Sequence, residues 1–170
     1  LEPFRKRNLE VLYLTDPVDE FALTRLDKYA DKDLVSIDSS DVKFPASTDA
    51  AAMETRELPK NFQRVVELFR GSLDERVSDV RQSDRLTDSS CCLINPEGSL
   101  SSQLQKVLRQ NQKDFQPPKR ILEINPHAAL IGRLCELSAN PENDDFIRQT
   151  ARQLYATAEL QDGLVSRPEE

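Results

Sequence analysis

The chain has 170 residues, 38% of them hydrophobic, with 30 acidic against 23 basic side chains and a net charge of −7. That is enough apolar material for one ordinary domain or two small ones, and the acidic balance argues against a nucleic-acid module, whose footprint is a basic face. Four glycines, no two closer than 27 positions, exclude a dinucleotide fingerprint or a phosphate loop, and a single histidine excludes a zincin helix.

In chain order, Leu9-Glu10-Val11-Leu12-Tyr13-Leu14 reads as a mostly buried strand. Asp16 and Pro17 form a cap-plus-proline start. Val18, Phe21, Ala22, Leu26 and Tyr29 then lie on one helical stripe. Leu34-Val35-Ser36-Ile37 reads as a second strand, so residues 1–40 are expected to form a β-α-β unit with a parallel pair. Such a unit is too small to stand alone and is expected to complete a larger sheet. Residues 41–56 are rich in Ser, Asp, Ala and Thr and lack periodicity. They are taken as a linker, with helical turns near Ala50–Glu54.

Beyond the linker, Leu58, Phe62, Val65, Val66 and Phe69 form a helical stripe stopped by Gly71. Residues 75–81 are charged and read as an exposed strand. Ser90-Cys91-Cys92-Leu93-Ile94 and Lys119-Arg120-Ile121-Leu122-Glu123-Ile124 are better strands. Between them Leu100, Leu104, Val107 and Leu108 stripe an amphipathic helix. Asn125-Pro126 and Asn140-Pro141 open two more helices. The last carries Ile147, Ala151, Leu154, Tyr155 and Ala158 on one face and stops at Gly163. The expected architecture is therefore a β-α-β α/β tail over residues 1–40, then an α+β domain over 57–170 with a three-stranded sheet and flanking helices.

The chain does not begin with Met, and it is expected to be a piece of a longer protein. Its longest run without a charged residue is nine, whereas a membrane span needs about 20 apolar residues, and no signal peptide is visible. An odd count of three cysteines without a CxxC pair fits a reduced, cytoplasmic setting.

Each chemical candidate has a plain structural counterpart. His127 stands just inside a helix start with no nucleophile motif around it. Cys91 and Cys92 point to opposite faces of one strand, one toward the core. The pairs Asp19-Glu20 and Asp144-Asp145 sit at helix N-termini, where they complement the helix dipole. No catalytic, cofactor-binding or metal-binding residue is assigned. The informative features are apolar. The helix of Leu100 and Leu104 has no charge from Gly98 to Gln105, so it either lies on its own sheet or offers a ridge to a partner. The last helix carries the same ambiguity.

Several strings resemble the heat-shock protein 90 chaperone family, most closely its bacterial type. They are 74–81 (DERVSDVR) with Arg85-Leu86-Thr87-Asp88, the "E-[IL]-N-P-x-H" run 121–127, the "E-V-L…D-E" block 9–21, the Cys-Cys strand at 90–94 and the "L-Y-x-x-A-x-L" helix at 153–160. Five blocks fall in family order and cover most of the chain outside the linker. The resemblance implies that 1–40 end a middle domain, 41–56 are a linker and 57–170 form a C-terminal dimerisation domain lacking its last helix.

It further implies client contact by Glu20, Phe21, Leu100 and Leu104, and a dimer interface on Ile147, Ala151, Leu154, Tyr155 and Ala158. The implied partners are non-native client proteins and, for the full-length parent, a second copy; no nucleic acid or membrane is implied. The family's ATP and Mg²⁺ site lies in domains absent from this sequence, so no cofactor and no enzymatic activity are expected of this segment. The chain carries Leu where bacterial members often carry Met, and Phe where they often carry Trp; Leu is the stiffer contact. The alternatives are a pure assembly scaffold without client contact, and an enzyme domain using His127.

Overall fold

The computed structural model describes residues 4, 9–23, 26, 28–37, 39–40, 57–111 and 115–162. The part up to residue 40 holds helix α1 (Pro17–Leu23) and a small antiparallel hairpin of β1 (Lys28–Tyr29) and β2 (Lys32–Asp33). Asp16 caps α1: its Oδ1 accepts from the Val18 amide at 2.9 Å. The hairpin turn places Ala30 and Asp31 at φ of 48° and 62°, the left-handed pair of a two-residue type I′ turn.

Among the described residues the expected β-α-β unit is not seen. Among the described residues nothing pairs with 9–14, and Leu12, Tyr13 and Leu14 are exposed. A strand needs a neighbour to satisfy its row of N–H and C=O groups, and a propensity for extended structure does not supply one. Residues 34–36 lie in no strand, and Tyr29 sits in the hairpin rather than on a longer helix.

Downstream lie α2 (Phe62–Leu73), β3 (Val77–Gln82), β4 (Cys91–Ile94), α3 (Ser102–Asn111), β5 (Arg120–Ile124), α4 (Ala129–Leu137), a 3₁₀ turn (Pro141–Asn143) and α5 (Asp144–Gln161). The three-stranded sheet has the order β3-β5-β4, with β5 central, parallel to β3 and antiparallel to β4. This is the expected three-stranded sheet with flanking helices, and the structure shows its pairing to be mixed. The charged stretch 75–81 is indeed a strand. Its core-facing residues Val77 and Val80 are buried, so it reads as exposed only because the residues between them are polar.

Helix α2 lies on β3, on α4 and on α5, and α5 also meets β4. Phe62, Val65, Val66, Phe69 and Leu73 of α2 pack with Leu93, Leu122, Ile124, Ile131 and Leu134 into one core, following the 3.6-residue period of the helix and the alternation of the strands. Two helix boundaries differ from expectation. Helix α2 runs through Gly71 to Leu73, and Leu58 is exposed ahead of it. Nothing lies near Gly71 that requires a glycine, and its conformation is helical, so composition alone misplaced the stop. Helix α4 starts at Ala129 rather than at Pro126, because Asn125 is used in a turn. The expected turns at 50–54 and the stop at Gly163 lie outside the described residues.

Polar ties fix the layers. Arg64 grips Asp144 through both carboxylate oxygens at 2.9 Å, joining α2 to the start of α5. Arg120 donates to the Leu93 carbonyl at 3.0 Å and pairs with Asp162 at 2.7 Å, joining the sheet to the end of α5. Arg76 lies 5.9 Å from the centre of the Tyr155 ring, within cation–π range.

Candidate functional site

The face of the sheet opposite the main core is polar. Glu123 on β5 is buried. Its Oε1 accepts from Arg81 Nη2 at 2.9 Å, and its Oε2 accepts from Ser83 Oγ at 3.0 Å and pairs with Arg85 Nε at 3.0 Å. Period-two alternation puts Glu123 on this side, while Leu122 and Ile124 enter the core. Cys92 shares the Glu123 side; burial first, and then the Glu123 carboxylate, push its thiol up to about 12. Cys91 packs against the core with its Sγ 3.9 Å from the Leu154 carbonyl, and burial pushes its thiol up to about 11. The expected opposite-face placement of the two holds. Both thiols are free, as is that of Cys135, which burial also raises. Raised thiols are poor nucleophiles and metal ligands, and among the described residues no three His, Cys, Asp or Glu side chains converge to hold a metal ion.

The Asn125-Pro126-His127 run is structural in form. Asn125 is 1% exposed. Its Nδ2 donates to the Thr87 and Ser89 carbonyls at 3.1 and 3.0 Å, and its Oδ1 accepts from the His127 amide at 3.0 Å. His127 is half-buried beside this turn.

Beyond β4, a turn with Gly98 at φ +69° leads to Leu100 and α3; a positive φ there suits glycine. Leu100 is 42% exposed, whereas Leu104 is 7% exposed and counts among the buried residues. Of the expected apolar ridge, Leu100 alone faces solvent. Helix α1 packs against α3. The elements carrying Glu20-Phe21 and Leu100-Leu104 are thus neighbours; the side chains of Glu20 and Phe21 lie outside the described residues. Spacing on one helix placed Leu100 and Leu104 together. It could not reveal that the chain covers one and leaves the other open.

The expected dimer stripe is occupied within the chain. Ile147, Ala151, Tyr155 and Ala158 are buried in the core, with Leu154 packed against it. Phe146 and Leu160 are the large apolar side chains of α5 that face outward. A polar surface hollow of about 370 Å³, lined by Gly71, Ser72, Asp74, Glu75, Arg76 and Arg152, mixes two carboxylates with two guanidiniums.

A family model described as Hsp90 protein matches residues 1–169. The chain belongs to the Hsp90 family. Among its Hsp90 relatives, the "Chaperone protein HtpG" of Nitratidesulfovibrio vulgaris is 34% identical over 176 residues, which is 100% of this chain and 28% of that protein. Those of Geobacter metallireducens and Mycobacterium avium are 36% and 35% identical, each over 96% of this chain and 25% of the relative. The bacterial, HtpG-type resemblance is confirmed. The chain spans about a quarter of the length of these Hsp90 relatives. Among the described residues no helix is long and apolar enough to cross a membrane.

Proposed function

We propose that this chain is a client-contacting and assembly segment of a cytoplasmic, ATP-dependent chaperone of the HtpG type. Residues 1–40 are the end of its middle domain, 41–56 a linker and 57–170 its C-terminal domain. ATP and Mg²⁺ bind elsewhere in the full-length parent, and this segment carries out no chemistry of its own. Non-native clients touch it through weak apolar contacts. The observation that carries this reading is the packing of α1 on α3 with Leu100 left 42% exposed beside them. Glu20 and Phe21 on α1 and Leu100 ahead of α3 then form one contact region. Leu104 supports α3 from beneath and joins the contact only if its cover lifts. The acidic surface keeps the segment soluble and favours basic clients.

Two copies of the parent join through this domain. Because Ile147, Ala151, Leu154, Tyr155 and Ala158 are committed to the chain's own core, that contact uses the outward side of α5, where Phe146 and Leu160 lie.

The test is an amide NMR titration of this chain with a permanently unfolded protein. Peaks near Phe21 and Leu100 are expected to shift together, and Leu100→Ser to abolish the response. A silent titration at large client excess would remove the client reading. It would leave the second one, an assembly domain alone, which the burial of Leu104 favours.

A further inference from the structure

A chain of hydrogen bonds joins a strap formed by Ile37, Ser39 and Ser40 to the foot of α3. Arg85, 7% exposed and held by Glu123, donates from Nη1 to the carbonyls of Ile37 and Ser39 at 3.3 and 3.2 Å. On the far side of the same strap, Ser39 forms a parallel bridge with Asn95, and the Ser40 amide donates to the Asn95 carbonyl at 3.0 Å. Asn95 is 2% exposed. Its Nδ2 donates to Ser102 Oγ at 3.1 Å, and its Oδ1 accepts from Gln105 Nε2 at 3.4 Å. Gln105, 3% exposed, also donates from Nε2 to the Leu100 carbonyl at 2.6 Å. The bonds therefore run from the central strand, through the strap and Asn95, to the first turn of α3 and to Leu100.

All three bridging side chains are buried, where a polar group left unmade is costly. Such a strap has docked and undocked states rather than a graded series. We propose that Ile37, Ser39 and Ser40 act as a conformational latch: docked on Arg85 and Asn95, this strap fixes the foot of α3 and the placement of Leu100, and undocked it releases both. A pull on the chain ahead of the strap is then felt at Leu100, and by linkage a load on α3 is felt equally at the strap. The consequence for clients rests on the reading of Leu100 given above; the coupling itself does not.

The test is hydrogen exchange on the whole chain. Ser40→Pro removes the amide that holds the Asn95 carbonyl. The reporters are the amides of Leu104 and Gln105, which donate to Ser101 Oγ and to its carbonyl. They are expected to exchange roughly fivefold faster, the factor that one net hydrogen bond is worth, while the amides of Leu122 and Ile124 keep their protection. In the converse arm, Gln105→Ala is expected to speed exchange of the Ser40 amide to a similar extent.

The latch is overturned if Ser40→Pro loosens only the strap, or if Gln105→Ala loosens only α3. Should Ser40→Pro unfold the sheet, seen as lost protection at Leu122 and Ile124, the Gln105→Ala arm decides alone. Failure of Leu100→Ser to weaken client binding would remove the client reading and leave this exchange result untouched.

Discussion

Asn125→Ala is expected to be among the costliest single changes in the chain outside the apolar core. The side chain is 1% exposed and makes three hydrogen bonds, to Thr87 O at 3.1 Å, to Ser89 O at 3.0 Å and from His127 N at 3.0 Å. Truncation leaves two carbonyls and one amide without that partner at a packed turn. At about 1–3 kcal/mol for each buried group left unmade, and allowing for partial relaxation, the loss is about 4 kcal/mol. That is about a quarter or more of an ordinary domain's total stability of about 5–15 kcal/mol. For a chain of this size it lowers Tm by roughly 8–15 °C. Urea unfolding followed by circular dichroism measures it, with the midpoint falling and the slope unchanged.

Asn125→Asp sharpens the test. It places an oxygen opposite two carbonyl oxygens, and only the protonated acid can donate to either. Its folded-state pKa is therefore raised, so the variant's stability is greatest at low pH and is lost as pH climbs through the raised value. Asn125→Ala has no such slope. A loss below about 1 kcal/mol for Asn125→Ala would refute the reasoning, because it would mean that the turn does not depend on these bonds.

Two further outcomes follow from the polar face of the sheet. Burial raises the Cys91 and Cys92 thiols to about 11 and about 12 from an ordinary 9.0, so iodoacetamide at pH 8 is expected to label them only on unfolding. Stability should also fall as pH rises from 9 through those values, because the unfolded chain releases protons that the folded one keeps. A Cys91→Ser/Cys92→Ser variant with an unchanged alkaline slope, or rapid labelling of the native protein, would contradict this. Arg85→Ala is expected to cost about 3–5 kcal/mol by stripping a buried partner from Glu123. The pair's side chains are 8% and 4% exposed, so added salt should change this little. Arg85→Met combined with Glu123→Met should recover part of the loss in urea unfolding, and a single-variant cost near zero would show the pair to be idle.

The downstream fold is legible in the sequence because each element there finds its partner inside the chain. The period of Phe62, Val65, Val66, Phe69 and Leu73 and the apolar runs at 91–94 and 120–124 translate directly into one helix–sheet core. Residues 9–14 show the limit. Their pattern is as strand-like as that of β5, yet among the described residues they join no strand, and Leu12, Tyr13 and Leu14 are exposed, because extended propensity fixes a preference and only a neighbouring edge fixes a strand. Asn-Pro pairs were read as helix starts. At Asn140 the side chain does accept from the Glu142 amide at 3.1 Å and opens a 3₁₀ turn. At Asn125 the side chain instead serves a loop 36 and 38 residues upstream, at Ser89 and Thr87, a use that local spacing cannot display.

The site was less legible than the fold for a related reason. An apolar stripe states that a face will be covered and is silent about what covers it. On α5 the cover is α2 and the sheet, so Ile147, Ala151, Tyr155 and Ala158 are core. On α3 the stripe divides, with Leu104 inside and Leu100 out. The division follows from residues that carry no periodic signal. Asn95, Ser102 and Gln105 turn the foot of α3 so that the Leu100 carbonyl points inward to Gln105. Isolated Asn, Ser and Gln are common on any surface, and only burial distinguishes these. The apolar residues thus name the region, while the buried amides decide which of its side chains a partner can reach.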